Sequence, residues 1–503
     1  MLDLTIVGGG IQGTAIARAL VVAKAVSPER LAILDPHEEP LALWRRQSAA
    51  CGMAFLRSPS SHNLDVDFRA LRAFALRRGY DPADHYRPPY RRPSLELFNA
   101  HSRFIADTPE LRQARVTGRL MGLSPGTGSS QSGWQLETDR GVLESRMVLL
   151  ALGKTEVPIY PSWATGVPGI DHVFSSAFRR PADYTGAGRI TIVGGGITAG
   201  QLAVSLGREL SSDAPVLMVT GRPLEVHQFD SEPCYLGPRC LQSFVKIRDP
   251  EERRRIIREA RYPGSIPPSI NLALRQLKDE GRVTVIPEWA VSATRGPEGV
   301  ALETDAGRRI ESDRVILATG FRAAPPEESI VASVATEAGL PRTDDGFPVP
   351  DPTLQWAPGL FVAGSLSPRL SRLFLYLNYY ELLDQLEPGL VDLVEARLTL
   401  DEGKWRDAAG RFLDIDPRRL SRESLYDAYR AFRNARYYTA GSDYFLREEM
   451  PEALLDGAAY YAGTLLISLG EYRRALEALR RGLAAEGSFP EQLLKRQLLR
   501  AAA

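Results

Sequence analysis

Two short glycine clusters, each lying between an apolar strand pattern and a helical pattern, constrain this chain more than any other feature. The first runs LDLTIV (2–7), GGGIQG (8–13), TAIARALVVAKAV; the second runs ITIV (190–193), GGGITAG (194–200), QLAVSLGREL. A strand that turns at once into a helix needs residues without side chains at the turn, and the helix's first N–H groups then face that turn as an anion site. In the first cluster Gly8, Gly10 and Gly13 keep the G-x-G-x-x-G spacing around Gly9, and the next strand pattern, LAIL, ends in Asp35 about 20 residues on. Such a pattern predicts a dinucleotide site. One glycine makes the turn, one admits the pyrophosphate, one lets helix and strand pack, and the acid takes the ribose hydroxyls. In the second cluster Gly194, Gly196 and Ala199 give the G-x-G-x-x-A variant, and the following strand ends in Thr220-Gly221-Arg222. A basic residue there suits a 2′-phosphate that a carboxylate would repel, so this site is expected to prefer NADPH over NADH.

Two dinucleotide sites in one chain imply a bound flavin facing a nicotinamide, FAD at the first site and NADPH at the second, because electrons must pass between them. Further strand patterns at 147–152, 314–318 and 358–364 predict an α/β architecture of two Rossmann-like dinucleotide-binding domains. The strand ends ALG (151–153) and ATG (318–320), with Thr319, are expected where the chain crosses between domains, and FVAG (361–364), with Gly364, where it returns over the flavin. The expected division is a discontinuous FAD domain over 1–160 and 321–388 and an NADPH domain over 161–320. An insertion at about 222–282 would roof the active site. Its run EERRRIIREA, where glutamates interleave with arginines, reads as a solvated helix face.

From 389 to 503 the texture becomes all-α. GKWRDAAGRFL (from 403) and GEYRRALEALRRGL (from 470) share a glycine, an aromatic two residues later and an alanine at a helical offset, spaced near two periods of about 34 residues. This tail resembles tetratricopeptide repeats. So short an array is expected to pack on the catalytic body or a second subunit, or to bind a protein partner.

Composition bounds the rest. At roughly 150 residues per domain the 503 residues make about three domains. Lys plus Arg and Asp plus Glu are each 62, so no global field draws the chain to nucleic acid or an anionic membrane. No run approaches the roughly 18 apolar residues of a span. Cys51, Cys234 and Cys240 are too few for a disulfide framework and wrongly spaced for zinc; they read as buried or idle thiols in a reducing compartment, with no metal expected. The N-terminal strand pattern lacks the basic leader of a secretory signal, and a cytoplasmic location is expected.

The stretch DRVILATGFRAAPP (313–326) resembles the D-x3-L-ATG-Y-x4-P segment of the class B flavoprotein monooxygenases that N-hydroxylate lysine and ornithine, with Phe321 at the tyrosine position. FSSAF (174–178) is similar to that family's HSSxY segment, with Phe174 at the histidine position. Trp44, Gly52-Met53 and Phe55-Leu56-Arg57 are similar to its tryptophan-to-FLKD region, with Arg57 at the lysine position. The resemblance spans about residues 1–385. It implies that NADPH reduces FAD, that the reduced flavin and dioxygen form a C4a-(hydro)peroxide, and that an oxygen passes to a soft nucleophile, foremost the side-chain amine of an amino acid such as lysine or ornithine, or a diamine. It also implies that Arg57 anchors a substrate carboxylate, a task its bidentate fork suits, and that Gln47 and Trp44 lie near the flavin ring, Gln47 as a second catalytic-site residue. The alternatives from other classes are a flavoprotein reductase without oxygen transfer and a flavoprotein adaptor working through its helical tail.

Overall fold

The computed structural model describes residues 1–126, 133–153, 157–176, 188–210, 215–236, 246–297, 299–322, 330–351, 353–366, 404–420, 422–485 and 489–502, with Phe178, Cys240, Ser243, Phe244, Ala396, Thr399 and Leu400. The chain divides into two compact units, Met1–Tyr379 and Tyr380–Ala503.

In the first unit, strands Leu2–Val7, Leu31–Asp35, Arg115–Thr117, Gly141–Leu150 and Leu360–Val362 form a parallel sheet with Gly141–Leu150 beside Leu2–Val7 and Gln355–Ala357 at one edge. Leu4 pairs with Leu31 and Met147, and Ile6 with Ile33 and Leu149, all of them buried. A parallel sheet covered on both faces requires such unbroken apolar runs, which is why LTIV, LAIL and MVLL were readable as strands. Helix Ile11–Val22 buries Ala15, Ile16, Ala17 and Leu20. Strands Leu120–Pro125 and Trp134–Thr138 extend Gly141–Leu150 as an antiparallel meander.

A second sheet, wholly parallel, has the order Val283–Ile286, Val216–Val219, Ile190–Val193, Arg314–Leu317, Ile170–His172. Helices Ile197–Glu209 and Pro268–Asp279 lie close together because two glycines leave room: a Cβ at Gly200 would come within 2.8 Å of Ile270, and one at Gly207 within 3.3 Å of Leu277. Pro268–Asp279 precedes Val283–Ile286, which pairs in parallel with Val216–Val219. Val300, Leu302 and Ile310, from an antiparallel meander, share a core with Val193, Val219 and Leu317. The two chain crossings run side by side: Ile159 N–H donates to Gly320 O at 3.0 Å and Arg322 N–H to Val157 O at 3.1 Å.

The second unit is helical, with Trp405–Asp414, Arg422–Ala435, Tyr438–Phe445, Leu455–Leu469, Tyr472–Ala484 and Glu491–Ala502 around a core that includes Phe412, Phe432, Tyr444 and Leu479. Helices Leu455–Leu469 and Tyr472–Ala484 approach closely where Gly463 faces Leu479 and Gly482 faces Ala459, each Cβ-to-neighbour distance being 2.6 Å. The C-terminal region is helical, as the sequence texture from 389 predicts. Gly403 and the expected boundary at 388/389 lie outside the described residues.

Candidate functional site

At the first cluster the steric reason for each glycine is explicit. Gly8 has φ +110°, and a Cβ there would lie 2.7 Å from Ala151 O; a Cβ at Gly13 would overlap the Gly8 carbonyl. Beyond Gly10, by contrast, nothing lies within 4 Å, and no side chain caps the helix that Gly10 begins. Open space in front of uncapped N–H groups fits a pyrophosphate. Gly9 N–H donates to Asp35 Oδ2 at 2.8 Å, and His37 N–H to Asp35 Oδ1 at 2.9 Å, which fix the carboxylate at the strand end. A recess lined by Asp35, His37, Leu111, Arg115 and Thr117 opens beside it. Gly364, at the end of FVAG, abuts the Gln12 side chain, so the returning chain does reach the first cluster.

The second cluster repeats the turn, with Gly194 at φ +146° against Ala318 O and Ala199 fully buried. No side chain caps the helix begun by Gly196. Unlike Gly10, Gly196 is covered: a Cβ there would lie 3.4 Å from Gly264 Cα. Thr220 Oγ1 donates to Arg222 O at 2.6 Å and so shapes the turn. Arg222 pairs with Glu225 at 3.1 Å and donates from Nη2 to Pro263 O at 2.9 Å, while half exposed. Thr319 Oγ1 donates to Ile159 O at 2.6 Å, which ties the two crossings together.

Arg57 is held by a loop far away in the sequence. Its Nε donates to Gln228 O at 2.8 Å, its Nη2 faces His227 O at 2.7 Å, Phe229 O at 2.5 Å and Ser265 Oγ at 2.9 Å, and its Nη1 faces Ser265 O at 3.5 Å. All three guanidinium nitrogens are thus engaged by oxygens of the loop and of Ser265. Burial lowers its pKa, and nearby Asp230 opposes that shift. Trp44 Nε1 donates to Asn99 Oδ1 at 2.9 Å, with its ring edge-on to Phe98, on helix Ala42–Ala50. Gln47 is half-buried one turn later on the same helix.

Several features escaped sequence reasoning. Phe174 and Phe321, the two aromatic departures from the family pattern, stack on each other at 4.9 Å and 12°. His172 is buried beside them, and burial lowers its pKa to about 4. Residues 323–326 of the ATG stretch and Ala177 of FSSAF lie outside the described residues. Trp289, 59% exposed, lies 2.6 Å from where a Cβ of Gly221 would be, flanking the Arg222 turn. Within EERRRIIREA, Arg254 is not solvated: it is buried, its Nε 3.1 Å from Asp345 Oδ2 and its guanidinium 3.7 Å above the Phe347 ring. Cys234 and Cys240, six residues apart and read as idle thiols, form a disulfide; Cys51 is a free thiol, with burial pushing its pKa up to about 12. Among the described residues no group of three or more His, Cys, Asp or Glu could hold a metal ion, and no helix is long and apolar enough to cross a membrane.

Residues 125–374 match the pyridine nucleotide-disulphide oxidoreductase family. Over most of its length, without the helical second unit, the fold is similar to that of solved lysine, cadaverine and ornithine monooxygenases. L-lysine 6-monooxygenase from Pseudomonas syringae superposes with a TM-score of 0.59 at 18% identity, covering 77% of this chain and 99% of that one. DfoA, the FAD-bound cadaverine monooxygenase of desferrioxamine biosynthesis from Erwinia amylovora, gives 0.60 at 13% identity over 78% and 95%. The ornithine N-hydroxylase KtzI from Kutzneria, with reduced FAD, NADP+ and L-ornithine, gives 0.56 at 15% identity over 79% and 100%. Among curated protein sequences no match is found.

Proposed function

We propose that this chain is an FAD- and NADPH-dependent monooxygenase that hydroxylates the nitrogen of a small amine. The observation that carries the reading is the pair of glycine cradles at uncapped helix N-termini, one ending in Asp35 and the other in Arg222, within one unit that shares its fold with amine N-hydroxylases. Gly8, Gly9, Gly10 and Gly13 would hold the FAD pyrophosphate and Asp35 its ribose. Gly194, Gly196 and Ala199 would hold that of NADPH, with Arg222 exchanging Glu225 and Pro263 O for the 2′-phosphate. FAD, when bound, supplies two-electron acceptance from NADPH and reaction with dioxygen; the chain's own part is to bind, orient and keep water out. Because Arg57 is engaged by loop oxygens, the substrate reading shifts from an amino acid held by its carboxylate toward a diamine. Incubation of the FAD-loaded protein with NADPH and a panel of diamines and diamino acids should give hydroxylamine product with the diamines. Equal NADPH oxidation with and without every amine, all of it ending as hydrogen peroxide, would remove the oxygen-transfer reading.

One observation favours a second reading, a flavoprotein reductase without oxygen transfer: the Cys234–Cys240 disulfide in the insertion. Anaerobic NADPH would then generate two protein thiols per chain, measurable by alkylation and mass, whereas the monooxygenase reading predicts none.

A further inference from the structure

Arg57 and the second glycine cluster hold the same short turn from opposite sides. The turn runs from Tyr262 to Ile266. Ser265 closes it, its N–H and its Oγ both donating to Tyr262 O at 3.2 and 2.8 Å. It is joined to the loop 225–229 by Ile266 N–H to Glu225 O at 2.9 Å and His227 N–H to Ile266 O at 3.0 Å. The His227 ring stacks on Tyr262 at 3.8 Å and 6°. Loop and turn are thus one piece. On one side, Gly264 lies against Gly196, the middle glycine of the cluster, and Pro263 O receives Arg222. On the other side Arg57 spans three successive carbonyls of the loop and reaches Ser265. Arg57 itself comes from the flavin-side half: Leu56 N–H donates to Pro93 O at 2.9 Å, and Phe55 bridges Ser94.

Resting on the dinucleotide reading above, we propose that Arg57 is a positioning residue of the NADPH site, not a substrate anchor: by fixing the Tyr262–Ile266 turn over Gly196 it sets how tightly the nicotinamide dinucleotide is held. A planar fork suits this task, because a lysine head can reach one or two of these oxygens but cannot span the loop and Ser265 together. The Lys-to-Arg departure at this position then has a physical purpose. No carboxylate of the protein competes for the guanidinium at hydrogen-bond distance among its contacts, and Asp230 is itself paired with Arg261 at 3.0 Å.

The test uses the FAD-loaded full chain, with NADP+ binding measured by calorimetry and KM measured separately for NADPH and for the best amine. Arg57→Ala should weaken NADP+ binding and raise KM for NADPH about tenfold, as expected for the loss of charge-assisted hydrogen bonds, with KM for the amine within about twofold. Arg57→Lys should recover part of the loss. Ser265→Ala should give a smaller weakening that does not add to that of Arg57→Ala, because both act through one turn. If Arg57→Ala does not fold, the lysine variant and Ser265→Ala carry the same comparison. A raised KM for the amine with NADP+ binding unchanged overturns the proposal, as do unchanged constants in all variants. Wild-type protein that takes up FAD but binds no NADP+ overturns both this proposal and the function it rests on; wild type that binds NADP+ with the variants unchanged overturns this proposal alone.

Discussion

The two glycine clusters are near copies in sequence and differ in what stands over them. Among the described residues nothing lies within 4 Å of a Cβ built on Gly10, and the acid is fixed by Gly9 and His37. Over Gly196 lies the Tyr262–Ile266 turn, and the arginine that would meet the 2′-phosphate is engaged with Glu225 and Pro263 O. On the proposed assignment, one cradle would take a resident flavin as it stands, while the other would exchange contacts each time a nicotinamide dinucleotide enters.

The severest way to break the comparison is Gly13→Ala. The added methyl would overlap the Gly8 carbonyl, so the strand–turn–helix unit cannot close without backbone movement, at a cost of about 3 kcal/mol or more. Loss of flavin on purification with a lowered unfolding midpoint is expected, while a variant that stays yellow would show that the cradle does not depend on this contact. Alanine is already native at the equivalent Ala199, so the same substitution separates the two turns.

Acid should weaken both halves alike. His101, in the first half, and His172, in the second, are buried and each has its pKa lowered from 6.5 to about 4 by burial. The folded state keeps them neutral while the unfolded chain takes up protons below 6.5, so their contribution is intact above about pH 6.5 and is lost progressively toward pH 4, on the order of 2–3 kcal/mol each. Denaturant midpoints measured between pH 7 and 4.5 should fall accordingly, and His101→Gln or His172→Gln should each remove about half of the slope. A flat profile would contradict the burial.

Arg222→Ala sharpens the contrast further. KM for NADPH should rise about tenfold while KM for NADH stays nearly constant, since only one carries the 2′-phosphate; equal changes would strip Arg222 of that role. A further test is at the insertion. Serine at both Cys234 and Cys240 removes a disulfide closing a short loop, expected to lower stability by about 2 kcal/mol, and a reductant should do the same to the wild type in a thermal scan and nothing to the variant.

What was legible in the sequence was what local sterics dictate. Gly8, Gly13 and Gly194 each avoid a clash with backbone close by in the fold, and the apolar strands needed only their own pattern. Asp35 was legible because strand length fixes where an acid falls. The partners of Arg57 were not: His227, Gln228, Phe229 and Ser265 lie 170 residues or more away, and no spacing rule reaches them. Arg254 looked solvated because interleaved glutamates are the usual sign of an exposed face, yet Asp345, 91 residues on, draws that one arginine inward. The stacked Phe174–Phe321 pair appeared in the sequence only as two separate departures from a family pattern. The fold brings the two together as one stacked pair.

The central claim, a resident flavin beside an exchanging NADPH, is tested most directly by incubating the protein with FAD and NADP+, desalting it rapidly, and then adding NADPH under anaerobic conditions. The account predicts that flavin is retained at about one per chain, that NADP+ is lost, and that the retained flavin is bleached on adding NADPH. A colourless protein, or a yellow one whose flavin NADPH leaves oxidised, would contradict it.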